Sequence, residues 1–196
     1  MEKIAAKPCK DRKLNRWTGY DYTMPGQYFV TICTQNRICH FGEVADGKMV
    51  LNDLGEIVKQ QWLWLAEHFN YIKLDEWQIM PNHFHGIVEI INENYYDQVS
   101  AGLIFEDKHS VGNGRDRSLH NPNNSKIKPL PEIIGAFKTT SSKLIHRKQK
   151  DLTFTWQKSF HDRVIRNEEE LINIRYYIQQ NPVRWHEDEN NPSNKL

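Results

Sequence analysis

Cysteine is scarce in this sequence and poorly placed for chemistry. Cys9, Cys33 and Cys39 are the only three in 196 residues, an odd number without CxxC spacing, which argues against a disulfide framework or a thiolate zinc site. Long apolar runs are missing as well. No stretch of about 18 apolar residues exists to span a bilayer, and Met1 to Ala6 runs into Lys7, Pro8 and Cys9 without the apolar segment of a signal peptide. A cytoplasmic protein with no membrane partner is therefore expected. Internal repeats are absent. What is present is ordinary globular composition, 38% hydrophobic, 26% charged and 11% aromatic, which is too apolar for a wholly disordered chain and sufficient for a single-domain core.

The net charge of +1 hides an uneven distribution. Lys126 to Arg166 carries ten Lys/Arg against three acids, net +7, and Met1 to Arg16 carries six against two, net +4. Glu43 to Arg117 carries six against thirteen, net −7, and cancels most of this in the total. A basic surface favours a polyanion such as nucleic acid, because each neutralised phosphate releases condensed counterions. A solvated basic face is the alternative.

Tyr28 to Gln35 is rich in β-branched and aromatic residues and reads as a buried strand. A short strand around His40 to Val44 and a turn at Asp46-Gly47 follow. Asp53 to Phe69 reads as a helix with capping-box spacing between Asp53 and Glu56. Ile72 to Met80 and His83 to Ile91 read as strands parted by Pro81-Asn82. Asn92 to Pro129, with Gly112, Gly114, Pro122 and several Asn, reads as a long loop. Leu130 to Arg147 is a second helix with apolar residues at helical spacing, and Leu152 to Trp156 and Ser159 to Ile165 read as extended. A last helix starts at Asn167, carries Glu168, Glu169 and Glu170 on its positive end, and stops at Asn181-Pro182. This order predicts an α+β, ferredoxin-like (RRM-like) antiparallel sheet with helices on one face and a late third helix added.

Met80-Pro81-Asn82-His83-Phe84-His85-Gly86 holds two histidines one residue apart in a strand pattern, so both imidazoles share one face and Phe84 takes the other. Two neutral imidazoles on one face can hold a divalent ion and leave positions open for substrate oxygens; two half-buried strand histidines are the plainer alternative. Tyr177 and Asn181 lie four apart on the last helix, within about 40° of each other, and can serve one site. The plainer alternative is a boundary tyrosine, with Asn181 capping the helix before Pro182.

Taken together, three segments make the sequence similar to the single-tyrosine HUH transposases, and among them to the REP-associated tyrosine transposases. They are Tyr20-Asp21-Tyr22 with Tyr28 to Thr34; Met80 to His85; and Trp156-Gln157-Lys158-Ser159-Phe160-His161-Asp162-Arg163 through Tyr177-Ile178-Gln179-Gln180-Asn181-Pro182-Val183-Arg184. The likeness covers about residues 16 to 185, with 92 to 129 the least similar part. It implies a single transposase domain over 1–185, in which 92–129 is a long loop or insert, followed by a flexible tail at 186–196.

The resemblance further implies that His83 and His85 are the HUH pair, that Tyr177 is the nucleophile on a catalytic helix, and that Asn181 is a third polar metal ligand. Gln180 and Glu170 stand as alternatives to Asn181. The implied activity is metal-dependent nicking and strand transfer on single-stranded or hairpin DNA of a repetitive element, through a 5′-phosphotyrosine. Magnesium or manganese is the expected cofactor, with no organic cofactor. Arg12, Lys13, Arg16, Lys138, Lys143, Arg147, Trp156, His161 and Arg163 are the candidate DNA contacts, Trp156 by stacking. A monomer is favoured over a homodimer. A ferredoxin-like binding protein without cleavage, and a structural zinc site, are the competing readings.

Overall fold

The computed structural model describes residues 20–92, 127–149 and 153–194. In chain order its main elements are β1 (Gly26–Cys33), β2 (Gly42–Ala45), β3 (Lys48–Leu51), α1 (Asp53–His68), β4 (Ile72–Ile79), β5 (His83–Ile90), α2 (Leu130–Gln149), β6 (His161–Ile165) and α3 (Glu168–Gln180). Four strands form one antiparallel sheet in the order β4-β5-β1-β6, while β2 and β3 pair separately as a hairpin. The fold is the α+β, ferredoxin-like arrangement expected. Among the described residues no helix is long and apolar enough to cross a membrane.

Strand alternation divides the sheet into two unlike faces. Tyr28, Val30 and Ile32 of β1, with Phe84, Val88 and Ile90 of β5, are buried in the main core. Leu54, Val58, Trp62 and Leu65 of α1 and Ile133, Ile134, Phe137 and Ile145 of α2 belong to the same core, so two helices cover this face. Gly86 makes their close approach possible, since a Cβ there would lie 2.6 Å from Cζ2 of Trp62 and 2.7 Å from Cε1 of Phe84. The opposite face carries Phe29 and Ile87, and α3 lays Leu171, Ile174 and Ile178 across it.

Polar clamps fix α3 at both sheet edges. The register of β4 shifts between Leu74 and Trp77, and the two residues in that bulge both reach α3. Arg175 donates to both Asp75 oxygens, Nε to Oδ1 at 2.9 Å and Nη2 to Oδ2 at 2.6 Å, and Gln179 Nε2 donates to Glu76 Oε2 at 2.9 Å. On the β6 side Arg163 pairs with Glu170 at 2.5 Å.

Several local expectations are corrected. Asn52, rather than Asp53, caps α1: its Oδ1 accepts from the backbone N–H of Leu54 at 2.9 Å and of Gly55 at 3.0 Å. Asp53 lies inside the first turn, where its charge suits the helix dipole. The strand expected around His40 begins at Gly42 and has a partner, β3, reached through Asp46 and Gly47 at φ 50° and 70°, the left-handed pair a tight hairpin needs. Trp156 joins the sheet region through an isolated bridge to Thr34 rather than a strand. Up to Asn194 the segment expected to be a frayed tail is ordered instead: it makes two short 3₁₀ turns, Trp185–Glu187 and Pro192–Asn194, and buries Asn190 and Asn191.

Two outcomes follow from this packing. Gly86→Ala is expected to lose about 2 kcal/mol in denaturant unfolding, because two rings must move to admit the methyl. The Arg175 guanidinium holds the Asp75 carboxyl below its ordinary value. Such a depressed group stabilises the fold above the unfolded carboxylate value of about 3.9 and loses its contribution as pH falls through the lower folded value. Asp75→Asn is therefore expected to cost about 1 kcal/mol at pH 7, a difference from wild type that shrinks in melts taken progressively below the unfolded carboxylate value.

Candidate active site

β5 opens with His83 and His85, paired across β1 with Cys33 and Thr31. Their imidazoles converge: the two Nε2 atoms are 3.0 Å apart. Each ring is held from behind. His83 Nδ1 lies 2.9 Å from Oδ1 of Asn82, an oxygen that can only accept, so Nδ1 carries the proton and the Nε2 lone pair points into the site. His85 Nδ1 lies 2.9 Å from the Thr31 hydroxyl, and Phe29 stacks on its ring at 5.6 Å. Both rings are buried, and burial lowers the His83 pKa to about 3 and that of His85 well below the usual range. Both are thus neutral donors at ordinary pH.

The folded C-terminal segment brings a carboxylate to them. Asp188 Oδ2 is 3.6 Å from His83 Nε2, and one donor atom each from His83, His85 and Asp188 fall within 4.8 Å of one another. This cluster can hold a metal ion. Sequence reading missed Asp188, which it assigned to a free tail, and missed Asn82 and Thr31, which orient the rings. A legible signal existed for Asn82, adjacent to His83 after Pro81.

α3 supplies the remaining groups. The Tyr177 hydroxyl is 3.5 Å from His85 Nε2, and its ring meets Phe29 edge-on at 6.1 Å. The side chain is 45% exposed, so its hydroxyl is accessible while Phe29 and His85 fix its direction. Burial raises its pKa, with the Asn181 amide pulling the other way. Asn181 is the C-cap of α3, its backbone N–H donating to the Ile178 carbonyl; it is 5% exposed, and among the described residues its Oδ1 has no hydrogen-bond partner. Tyr177, Asn181, Arg184, Glu187, Asp188 and Glu189 line an open cavity of about 310 Å³ at the site's mouth. Of the alternatives to Asn181, Glu170 is excluded because its carboxylate is engaged by Arg163 and by the Arg166 N–H, at the far end of α3.

No family model matches the chain. An uncharacterized protein of Haemophilus influenzae is 34% identical over 178 residues, 91% of this chain and 92% of that protein. A structure of a REP-associated tyrosine transposase bound to a REP hairpin aligns at TM-score 0.51, covering 87% of this chain and 73% of that one at 15% identity. The chain belongs to the family of the Haemophilus protein and has the fold of the REP-associated tyrosine transposase.

On this transposase fold the candidate DNA contacts scatter. Trp156 is no stacking platform: it is 7% exposed, packs on Phe41, Phe137 and Phe154, and donates from Nε1 to Ser141 Oγ at 3.0 Å. Lys138 is tied down, its Nζ donating to the carbonyls of Gln157 at 2.5 Å and Lys158 at 3.1 Å. Arg163 is paired with Glu170. Lys143, Arg147 and His161 are exposed. Arg12, Lys13 and Arg16 lie outside the described residues.

The ring orientation gives a measurable outcome. Thr31→Val keeps the shape of the side chain and removes the hydrogen bond behind His85. Calorimetric titration with manganese is expected to show affinity falling about tenfold, with the metal-free melting temperature little changed.

Proposed function

We propose that this protein is a metal-dependent single-tyrosine transposase that cuts single-stranded or hairpin DNA through a 5′-phosphotyrosine. The observation that carries the reading is the Tyr177 hydroxyl 3.5 Å from an imidazole of the converging His83–His85 pair. No purely structural role for the histidines requires a half-exposed tyrosine there.

The residues present fit a divalent ion. The two Nε2 atoms converge to 3.0 Å, close enough for one ion to be held by both. The buried Asn181 Oδ1 without a partner is the kind of atom a ligand satisfies. His83, His85 and Asp188 would hold the ion, with Asn181 adding an amide oxygen. Mixed nitrogen and oxygen donors suit manganese or magnesium. When bound, such an ion supplies Lewis-acid polarisation of a phosphodiester oxygen and stabilises the charge of the transition state.

The chain's own groups do the rest. Phe29 and His85 hold the Tyr177 ring so that its hydroxyl faces the mouth. With its pKa raised, Tyr177 keeps its proton until attack, which protects an exposed nucleophile from idle reaction. On attack the Tyr177 Oη–phosphorus bond forms as the bond from phosphorus to the departing 3′ oxygen breaks. The phenolic proton is given up and the 3′ oxygen gains one. The phosphotyrosine preserves the energy of the broken bond, so a 3′-hydroxyl can reseal the strand.

Incubation with labelled hairpin DNA and manganese, resolved on a denaturing gel, tests the reading. Wild type is expected to give a covalent protein–DNA band that Tyr177→Phe reduces by at least about a thousandfold and that EDTA abolishes. A band surviving in Tyr177→Phe would move the nucleophile to Tyr176, the adjacent and exposed tyrosine of α3. Binding without any band across varied oligonucleotides would leave a DNA-binding protein and overturn the proposal.

A further inference from the structure

A second cavity, of about 660 Å³, lies between β6 and the first turns of α3. Its apolar wall includes Val164 and Ile174, and its polar lining includes Arg166, Glu169 and Asn173. The Glu169 and Asn173 side chains make no hydrogen bond or ion pair among the described residues. They sit on the ridge of α3 that continues through Tyr177, each four residues from the next and so neighbours on the helix surface. Asn173 is one such step, about 6 Å along the axis, from Tyr177. A stacked DNA strand advances about 3.4 Å per nucleotide, so a strand whose phosphate reaches Tyr177 has a base within one or two nucleotides of the cavity.

We infer that this cavity is a specificity pocket for one unpaired base flanking the cleaved phosphate, and that it selects a base bearing an exocyclic amine. The inference deepens the proposed transposase reading and rests on it. The lining favours a base over a phosphate, because Asp162, Glu169 and Glu170 outnumber Arg163 and Arg166 there, and Glu170 already pairs with Arg163. A carboxylate accepts from the amine of cytosine, and an Asn amide matches the donor and acceptor of adenine. Thymine has no exocyclic amine and offers the Glu169 carboxylate only its ring N3–H, flanked on both sides by carbonyl oxygens that a carboxylate repels. The apolar wall receives the face of the ring.

The experiment first maps the cleavage position from the wild-type adduct on hairpin DNA with single-stranded flanks. Each of the two bases on either side is then set in turn to cytosine, adenine, guanine, thymine or an abasic residue. Dissociation constants are measured by fluorescence anisotropy and adduct rates on gels. At one position, wild type is expected to favour an amine-bearing base over thymine by about tenfold. Asn173→Ala and Glu169→Ala are each expected to shrink that preference to about twofold while leaving melting temperature and the thymine substrate's affinity unchanged. An adduct indifferent to base at all four positions, or a preference that survives both substitutions, overturns the inference alone. Absence of any adduct overturns it together with the reading it rests on.

Discussion

The site hangs on one buried amide. Asn82 is fully enclosed and uses its whole side chain: Oδ1 accepts from the His83 Nδ1–H, and Nδ2 donates to the carbonyls of Arg37 and Asn190, both at 2.8 Å. Its own carbonyl accepts from Thr34 N–H and Thr34 Oγ1. One residue thereby sets the tautomer of the first imidazole, ties the start of β5 to the loop after β1, and anchors the C-terminal segment that carries Asp188. Leaving such a group unpaired costs about 1–3 kcal/mol per buried donor or acceptor, so the three attachments stand or fall together. Arg37, held at φ 55°, reinforces the same junction by donating from Nη1 to the Glu189 carbonyl at 2.8 Å.

The two faces of the sheet divide stability from chemistry. One face is closed by α1 and α2 over a continuous apolar core; on the other, α3 covers Ile87 and Ile165 and gives way at Asn181 to the C-terminal segment, which reaches the histidine end of β5 through Trp185 and Asp188. A single covering helix leaves room at its end for a substrate, and the clamps from Asp75, Glu76 and Arg163 fix where that end falls. These clamps need the β4 bulge, because strict alternation sends neighbouring residues to opposite faces, and here both Asp75 and Glu76 reach α3.

What the sequence revealed divides along the same physical line. Local periodicity was sufficient for β1, β5 and the three helices, and for the shared face of His83 and His85, because these depend on backbone repeat alone. Contacts across the chain were not legible. Asp188 follows a polar stretch whose course depends on Asn82, more than a hundred residues away, so composition read it as a tail. Charge counting failed in the same way: Lys138 and Arg163 add to a basic total, but the fold commits one to backbone carbonyls and the other to Glu170. Trp156 shows the limit for aromatics, since a core ring and a stacking platform look alike until its neighbours are known.

The electrostatics of the mouth bind the proposed chemistry to a cation. Glu187, Asp188 and Glu189 border the same cavity as Tyr177, and Arg184, the one cation among the described lining residues, has its guanidinium on Glu187 at 3.1 Å. A phosphodiester entering here meets like charge at short range. Burial also favours the protonated Tyr177 phenol, so the carboxylates and the burial together disfavour both a phosphodiester and the ionisation of Tyr177. Positive charge beside His83, His85 and Asp188 reverses both effects at once, because it offsets the carboxylates and favours the phenolate. On the proposed reading the acidic mouth is therefore what makes cutting conditional on the metal: the donors that attract the cation are the groups that repel DNA without it.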